Sequence, residues 1–195
     1  MYKRQPRDEL SEIVLRFRAA EEAGAVALGV DLDGAGLVTM RLQGQPVGPK
    51  TLAQLKTIRA QTQLPFIVKG IMTVDEAKMC CEAGADCIVV SNHGGRVLDG
   101  CPGGADVLPE IAYALDGQIP ILADGCVRSG VDALKLMALG ANGVLVGRPL
   151  CWGAYGGGSQ GVATVLQTYT QQLYQAMITV SYTHLRAHET SAHLV

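Results

Sequence analysis

The chain has 195 residues, the size of one domain at roughly 100–200 residues each. Hydrophobic residues make up 48 % and charged residues 17 %, too apolar a mixture for a disordered chain. Sixteen Lys plus Arg against 18 Asp plus Glu leave a net charge of −2, which excludes a polybasic binder of nucleic acid and gives no reason to expect a membrane surface.

In chain order, short apolar segments alternate with helical patterns. Residues 8–23 predict a helix with Leu10, Ile13, Val14, Phe17 and Ala20 on one face. A strand is expected at 25–31, a helix at 52–60, a strand at 65–71 and a helix at 74–83. Strand 87–93, helix 105–115, strand 120–125 and helix 129–139 follow, then strand 143–149 and helix 161–178. The strands lack period-2 alternation, as parallel strands buried on both faces do. Glu22-Ala23-Gly24-Ala25 recurs as Glu82-Ala83-Gly84-Ala85 and is echoed by Ala138-Leu139-Gly140-Ala141. Each marks a helix that stops at Gly and enters a strand. The fold class expected is α/β, either an open doubly wound sheet or a (β/α)8 barrel. Polar residues at the strand ends favour the barrel, whose sites lie there. Five strands against the eight of a barrel imply about strands 4–8.

The apolar runs fall far short of the ~20 residues of a bilayer span, and no signal-peptide pattern opens the chain. Six Cys (Cys80, Cys81, Cys87, Cys101, Cys126 and Cys151) form no C-x-x-C pair. They read as reduced thiols of a cytoplasmic protein.

Both ends are expected to be foreign to the fold. Met1-Tyr2-Lys3-Arg4-Gln5 can be encoded by DNA whose reverse complement reads Val-Ser-Tyr, and Val180-Ser181-Tyr182 opens the tail. Residues 1–5 and 180–195 therefore resemble translated sequencing adapters around a native segment 6–179. Three of the four His (His184, His188 and His193) fall in the tail, leaving His93.

Three constellations carry chemistry. The run Ser91-Asn92-His93-Gly94-Gly95-Arg96 ends a buried strand. It places a base suited to neutral pH beside a guanidinium fork that grips carboxylates. The Gly-rich turn Asp124-Gly125-Cys126-Val127-Arg128 and the pair Gly147-Arg148 end the next two strands. Backbone N–H groups and arginines there suit a phosphate. Lys69 ends another apolar strand, either snorkelling from the barrel mouth or stabilising negative charge.

The motifs SNHGGR with Leu98-Asp99, VKGI, DGCVRSG and LGANGVLVGRP resemble the FMN-dependent α-hydroxy-acid oxidase/dehydrogenase family, over nearly all of 6–179. The resemblance implies an FMN barrel enzyme that oxidises a small L-2-hydroxy acid, lactate- or glycolate-like, to the 2-oxo acid. It implies no nucleic-acid or membrane partner and a homo-oligomer at full length. By resemblance His93 is the base, Asp31 orients it and Arg96 clamps the substrate carboxylate. Lys69 and Ser91 lie at the flavin, and Asp124, Gly125, Cys126, Val127, Arg128, Gly147 and Arg148 hold its phosphate arm. No metal is implied. Cys126 stands where the family usually has Gly, and Val38 stands where it has a substrate-binding Arg, with Arg41 nearby. The alternatives are another FMN barrel, such as a flavin-dependent isopentenyl-diphosphate isomerase, and an inactive incomplete fragment.

If adapters flank the segment, unamplified genomic DNA of the source will diverge from this sequence before Pro6 and after about Thr179. Finding both ends encoded in the genome contradicts the reading.

Overall fold

The computed structural model describes residues 2–4, 6–7 and 9–180; Ser181 and the rest of the expected foreign tail lie outside them. Six parallel strands run in sequential order: β1 (Tyr2–Arg4), β2 (Leu28–Asp31), β3 (Phe66–Ile71), β4 (Cys87–Val90), β5 (Ile121–Ala123) and β6 (Gly143–Val144). Helices cover their outer face: α1 (Leu10–Glu22), α2 (Val38–Leu42), α3 (Leu52–Arg59), α4 (Val74–Glu82), α5 (Gly104–Leu115), α6 (Gly130–Ala138) and α7 (Arg148–Thr179). Two 3-10 turns, Leu32–Gly36 and His93–Gly95, follow β2 and β4 directly. Sequential parallel order with a helix after each central strand is the arrangement of a (β/α)8 barrel, of which this chain forms an arc.

Local chemistry accounts for the helix limits. Thr51 and Thr73 each close a capping box, accepting from Gln54 N and Glu76 N while those side chains accept from the cap backbone. Ser129 caps α6 by accepting from Asp132 N. Such caps satisfy donors that the first helical turn leaves orphaned. The repeated Gly24 and Gly84 adopt left-handed backbone, φ +82° and +83°, at the exits of α1 and α4. Side chains resist that conformation, so the EAGA repeat is a stop signal.

The core lies between helices and sheet. Leu28, Val30, Phe66, Val68, Ile88, Val90, Ile121 and Ala123 alternate along four strands and pack on Ile13, Phe17, Ile58, Leu108 and Ile111. Phe17 meets Phe66 edge-on with centroids 6.3 Å apart. Burial pushes the Cys80 thiol up to about 12, so it packs as a small apolar group.

Three expectations need correction. Strand 143–149 shrinks to Gly143–Val144, because α7 starts at Arg148 with Pro149 in its first turn, a position that suits the fixed φ of proline. The expected helix 161–178 is the second limb of α7, which bends at Gly157 and Gly158. Five strands were expected and six are present. Tyr2–Arg4, placed outside the fold by its sequence, pairs in parallel with Leu28–Val30.

The second limb of α7 is pressed onto α6 at Gly130, whose amide donates to Gln172 Oε1 at 2.9 Å. A Cβ on Gly130 would sit 2.2 Å from Tyr169 O and 2.3 Å from Leu173 N. Backbone cannot yield cheaply, so Gly130→Ala is expected to cost about 1–3 kcal/mol. The urea unfolding midpoint checks this; an unchanged midpoint would mean the two helices are not held together there.

Candidate active site

The strand ends carry a connected polar cluster. Lys69, on β3, donates from Nζ to Ser91 Oγ at 2.8 Å and to Asp31 Oδ1 at 3.3 Å. Asp124 Oδ2 lies 3.5 Å from the same ammonium. Lys69 is only 9 % exposed and Asp31 and Ser91 are fully buried, so the charges must satisfy one another. Ser91 Oγ also accepts from the backbone N–H of His93 at 3.2 Å. That bond fixes the turn that carries His93, whose own backbone is left-handed at φ +57°, an unusual state for a side-chain-bearing residue.

The ring of His93 is held by carboxylates of the turn after β2. Nδ1 lies 2.9 Å from Asp33 Oδ1 and 3.6 Å from Asp31 Oδ2. A carboxylate acceptor makes Nδ1 the protonated nitrogen, which leaves Nε2 as the ring's proton acceptor. Asp31, expected to orient the histidine, is therefore the more distant carboxylate and the partner of Lys69. Asp33 was not among the expected site residues. It lies two residues beyond Asp31, in the 3-10 turn Leu32–Gly36 that follows β2. Burial pushes the Asp33 carboxyl above its ordinary range, and its hydrogen bond to His93 pulls it partly back.

A cavity of 460 Å³ opens beside this cluster. It is lined by His93 and Arg96, by Lys69 and Asp124, and by the two turns expected to hold a phosphate, Gly125-Cys126-Val127-Arg128 and Gly147-Arg148. Asp31 and Ser91 lie behind its wall, fully buried. Gly94, from the same run as His93, also lines it, as do Leu145, Val146 and Cys151, which were not among the expected site residues. Arg96 Nε donates to the His93 carbonyl at 3.1 Å, which ties the guanidinium to the turn that carries His93. Arg148 reaches back from α7, with Nη2 3.7 Å from where a Cβ on Gly94 would stand. The Arg128 guanidinium stacks over Trp152 at 5.2 Å.

These features fit a phosphorylated planar cofactor. Two arginines, the open turn at Gly125, the start of α7 and a lysine all line the cavity. The N-terminus of α6 contributes less than its position suggests. Asp132 already accepts from Arg128 N and Ser129 Oγ, bonds that hold its carboxyl below the ordinary range.

The model of the FMN-dependent dehydrogenase family matches residues 25–194. The chain belongs to that family. It is 44 % identical over 135 residues to the 2-hydroxyacid oxidase of Dictyostelium discoideum, covering 69 % of this chain and 35 % of that protein. It is 42 % identical over 141 residues to the L-lactate oxidase of Nostoc sp., covering 72 % and 39 %. A solved mandelate oxidase variant with a monooxide FMN adduct superimposes with TM-score 0.81 at 37 % identity, over 90 % of this chain and 56 % of that one. The chain thus spans less than two fifths of these curated relatives. Against the family pattern Cys126 is the costly departure, since its backbone sits at φ +55°, where glycine is at ease and other residues lose ~1–2 kcal/mol. Val38, at the start of α2, is 67 % exposed.

Cys126→Gly is expected to raise the stability of the protein by about 1 kcal/mol. A thermal or urea midpoint that stays put or falls would show that the strain at this turn is relieved elsewhere.

Proposed function

We propose that the full-length protein is an FMN-dependent oxidoreductase that converts a small 2-hydroxy acid to the 2-oxo acid. The observation that carries the reading is a single cavity lined by a histidine with a carboxylate-bound Nδ1, an arginine in the same turn and a phosphate-type cradle at adjacent strand ends. FMN, when bound, supplies the acceptor for two electrons. The chain's own residues supply the rest. Arg96 holds the substrate carboxylate through its planar fork. His93 takes the substrate proton on Nε2, and the neighbouring carboxylates stabilise the resulting imidazolium. Lys69 presents a buried positive charge to the anionic side of the site. Arg148, Arg128 and the amides near Gly125 and Gly147 hold the phosphate, with Ser91 and Asp124 keeping Lys69 in place. Among the described residues no helix is long and apolar enough to cross a membrane.

In the full-length holoenzyme, His93→Ala should lower the rate of flavin bleaching by a hydroxy acid by ~10²–10⁴-fold while FMN remains bound. Arg148→Ala should do the opposite, raising the FMN dissociation constant by roughly 10- to 150-fold for a lost charge-assisted bond of ~1.5–3 kcal/mol. Stopped-flow absorbance and flavin titration separate the two. Wild-type bleaching by the His93 variant, or no bleaching of the parent by any 2-hydroxy acid, would overturn the reading.

A further inference from the structure

We propose that Asp33 is the positioning residue of His93, taking the Nδ1–H bond and fixing the ring with Nε2 toward the cavity, while Asp31 serves Lys69. This rests on the reading of His93 as the base. The division of labour follows from distance and competition. Asp33 Oδ1 stands 2.9 Å from Nδ1, whereas Asp31 Oδ2 stands at 3.6 Å and Asp31 Oδ1 is engaged by the Lys69 ammonium at 3.3 Å.

The backbone of β3 is shaped to admit Asp33. The register of β3 against β4 slips between Lys69 and Ile71, so Gly70 is an inserted residue, with φ +94°. Such bulges re-aim side chains at strand ends. A Cβ on Gly70 would lie 2.7 Å from both Asp33 N and Asp33 Cγ. The one residue type that fits the bulge is therefore also the one that leaves room for the acid. Among the described residues Asp33 Oδ2 is buried with no hydrogen-bond partner. Its other oxygen, Oδ1, meets the imidazole, and the Asp31 carboxyl lies beside it. The charged groups around the imidazole are Asp31 and Asp33 after β2, Lys69 on β3, Asp124 after β5, Arg96 in its own turn and Arg148 on α7.

The test uses the full-length holoenzyme. With histidine labelled by ¹⁵N, an imidazole N–H bonded to a carboxylate gives a far-downfield proton signal, assigned to His93 by its loss in His93→Gln. The signal should move upfield or vanish in Asp33→Asn and in the smaller Asp33→Ser, survive in Asp31→Asn and return in Asp33→Glu. Two substitutions at position 33 keep the test alive if one fails to fold. Flavin reduction by lactate or mandelate in Asp33→Asn should slow by about 10²-fold, the lower end of what loss of general-base catalysis costs. A signal that persists in both position-33 variants, or that disappears in Asp31→Asn alone, overturns the proposal, as does a parent enzyme that lacks it. If the signal behaves as expected but no hydroxy acid bleaches the parent, the reaction assigned above fails and the positioning role of Asp33 stands.

Discussion

A buried ammonium organises this molecule. Lys69 sits near the C-terminal end of β3 and holds oxygens from the ends of the strands on either side, Asp31 from β2 and Ser91 after β4, with Asp124 from the next strand close by. A charge this deep is tolerated only when its partners are in place, and removing one partner of a buried pair typically costs ~3–5 kcal/mol. The network thus pins four neighbouring strand ends in one register. It also sets the height of Ser91, whose hydroxyl holds the backbone amide of His93. The position of His93 is thus inherited from the lysine on the neighbouring strand.

The same constraint explains the bulge at Gly70. The residue after Lys69 must turn so that β3 can continue toward Ile71, buried in the core, while Lys69 faces the barrel interior. Only a residue without Cβ does this against the turn that carries Asp33. Packing, backbone conformation and site chemistry meet at three consecutive residues, Val68 in the helix-facing core, Lys69 in the network and Gly70 in the bulge. Function in this arc is distributed over strand ends, and each end is set by the packing of the strand behind it.

Much of this was legible in the amino-acid order because the decisive terms are local. Thr51, Thr73 and Ser129 announce helix starts through short side chains that bond their own first turns. Gly24 and Gly84 announce helix ends through a backbone conformation other residues resist. The strands β2 to β5 read correctly as largely buried, and SNHGGR marked two residues, His93 and Arg96, that line the cavity. What escaped was non-local. Asp33 matters because Gly70, 37 positions on, leaves space for it. Arg148 belongs to a helix because β6 stops at Val144 and Gly147 (φ −109°, ψ −90°) serves as the N-cap of α7. Tyr2–Arg4 pairs with Leu28–Val30, a partner far along the chain. The reading of Asp31 as the histidine's orienter rested on resemblance; its Oδ2 lies 3.6 Å from Nδ1 while its Oδ1 also holds Lys69.

The central claim is that Lys69 and Asp31 depend on one another energetically. A double-mutant cycle on unfolding free energy, with Lys69→Met, Asp31→Asn and the pair combined in the full-length holoenzyme, measures this directly. Contacting charged groups couple by ~0.5–3 kcal/mol, whereas independent sites add to within ~0.5 kcal/mol. The account predicts that the double variant is less destabilised than the sum of the singles, with coupling toward the upper end of that range. Simple additivity would contradict it and would leave the strand ends held together by the core alone.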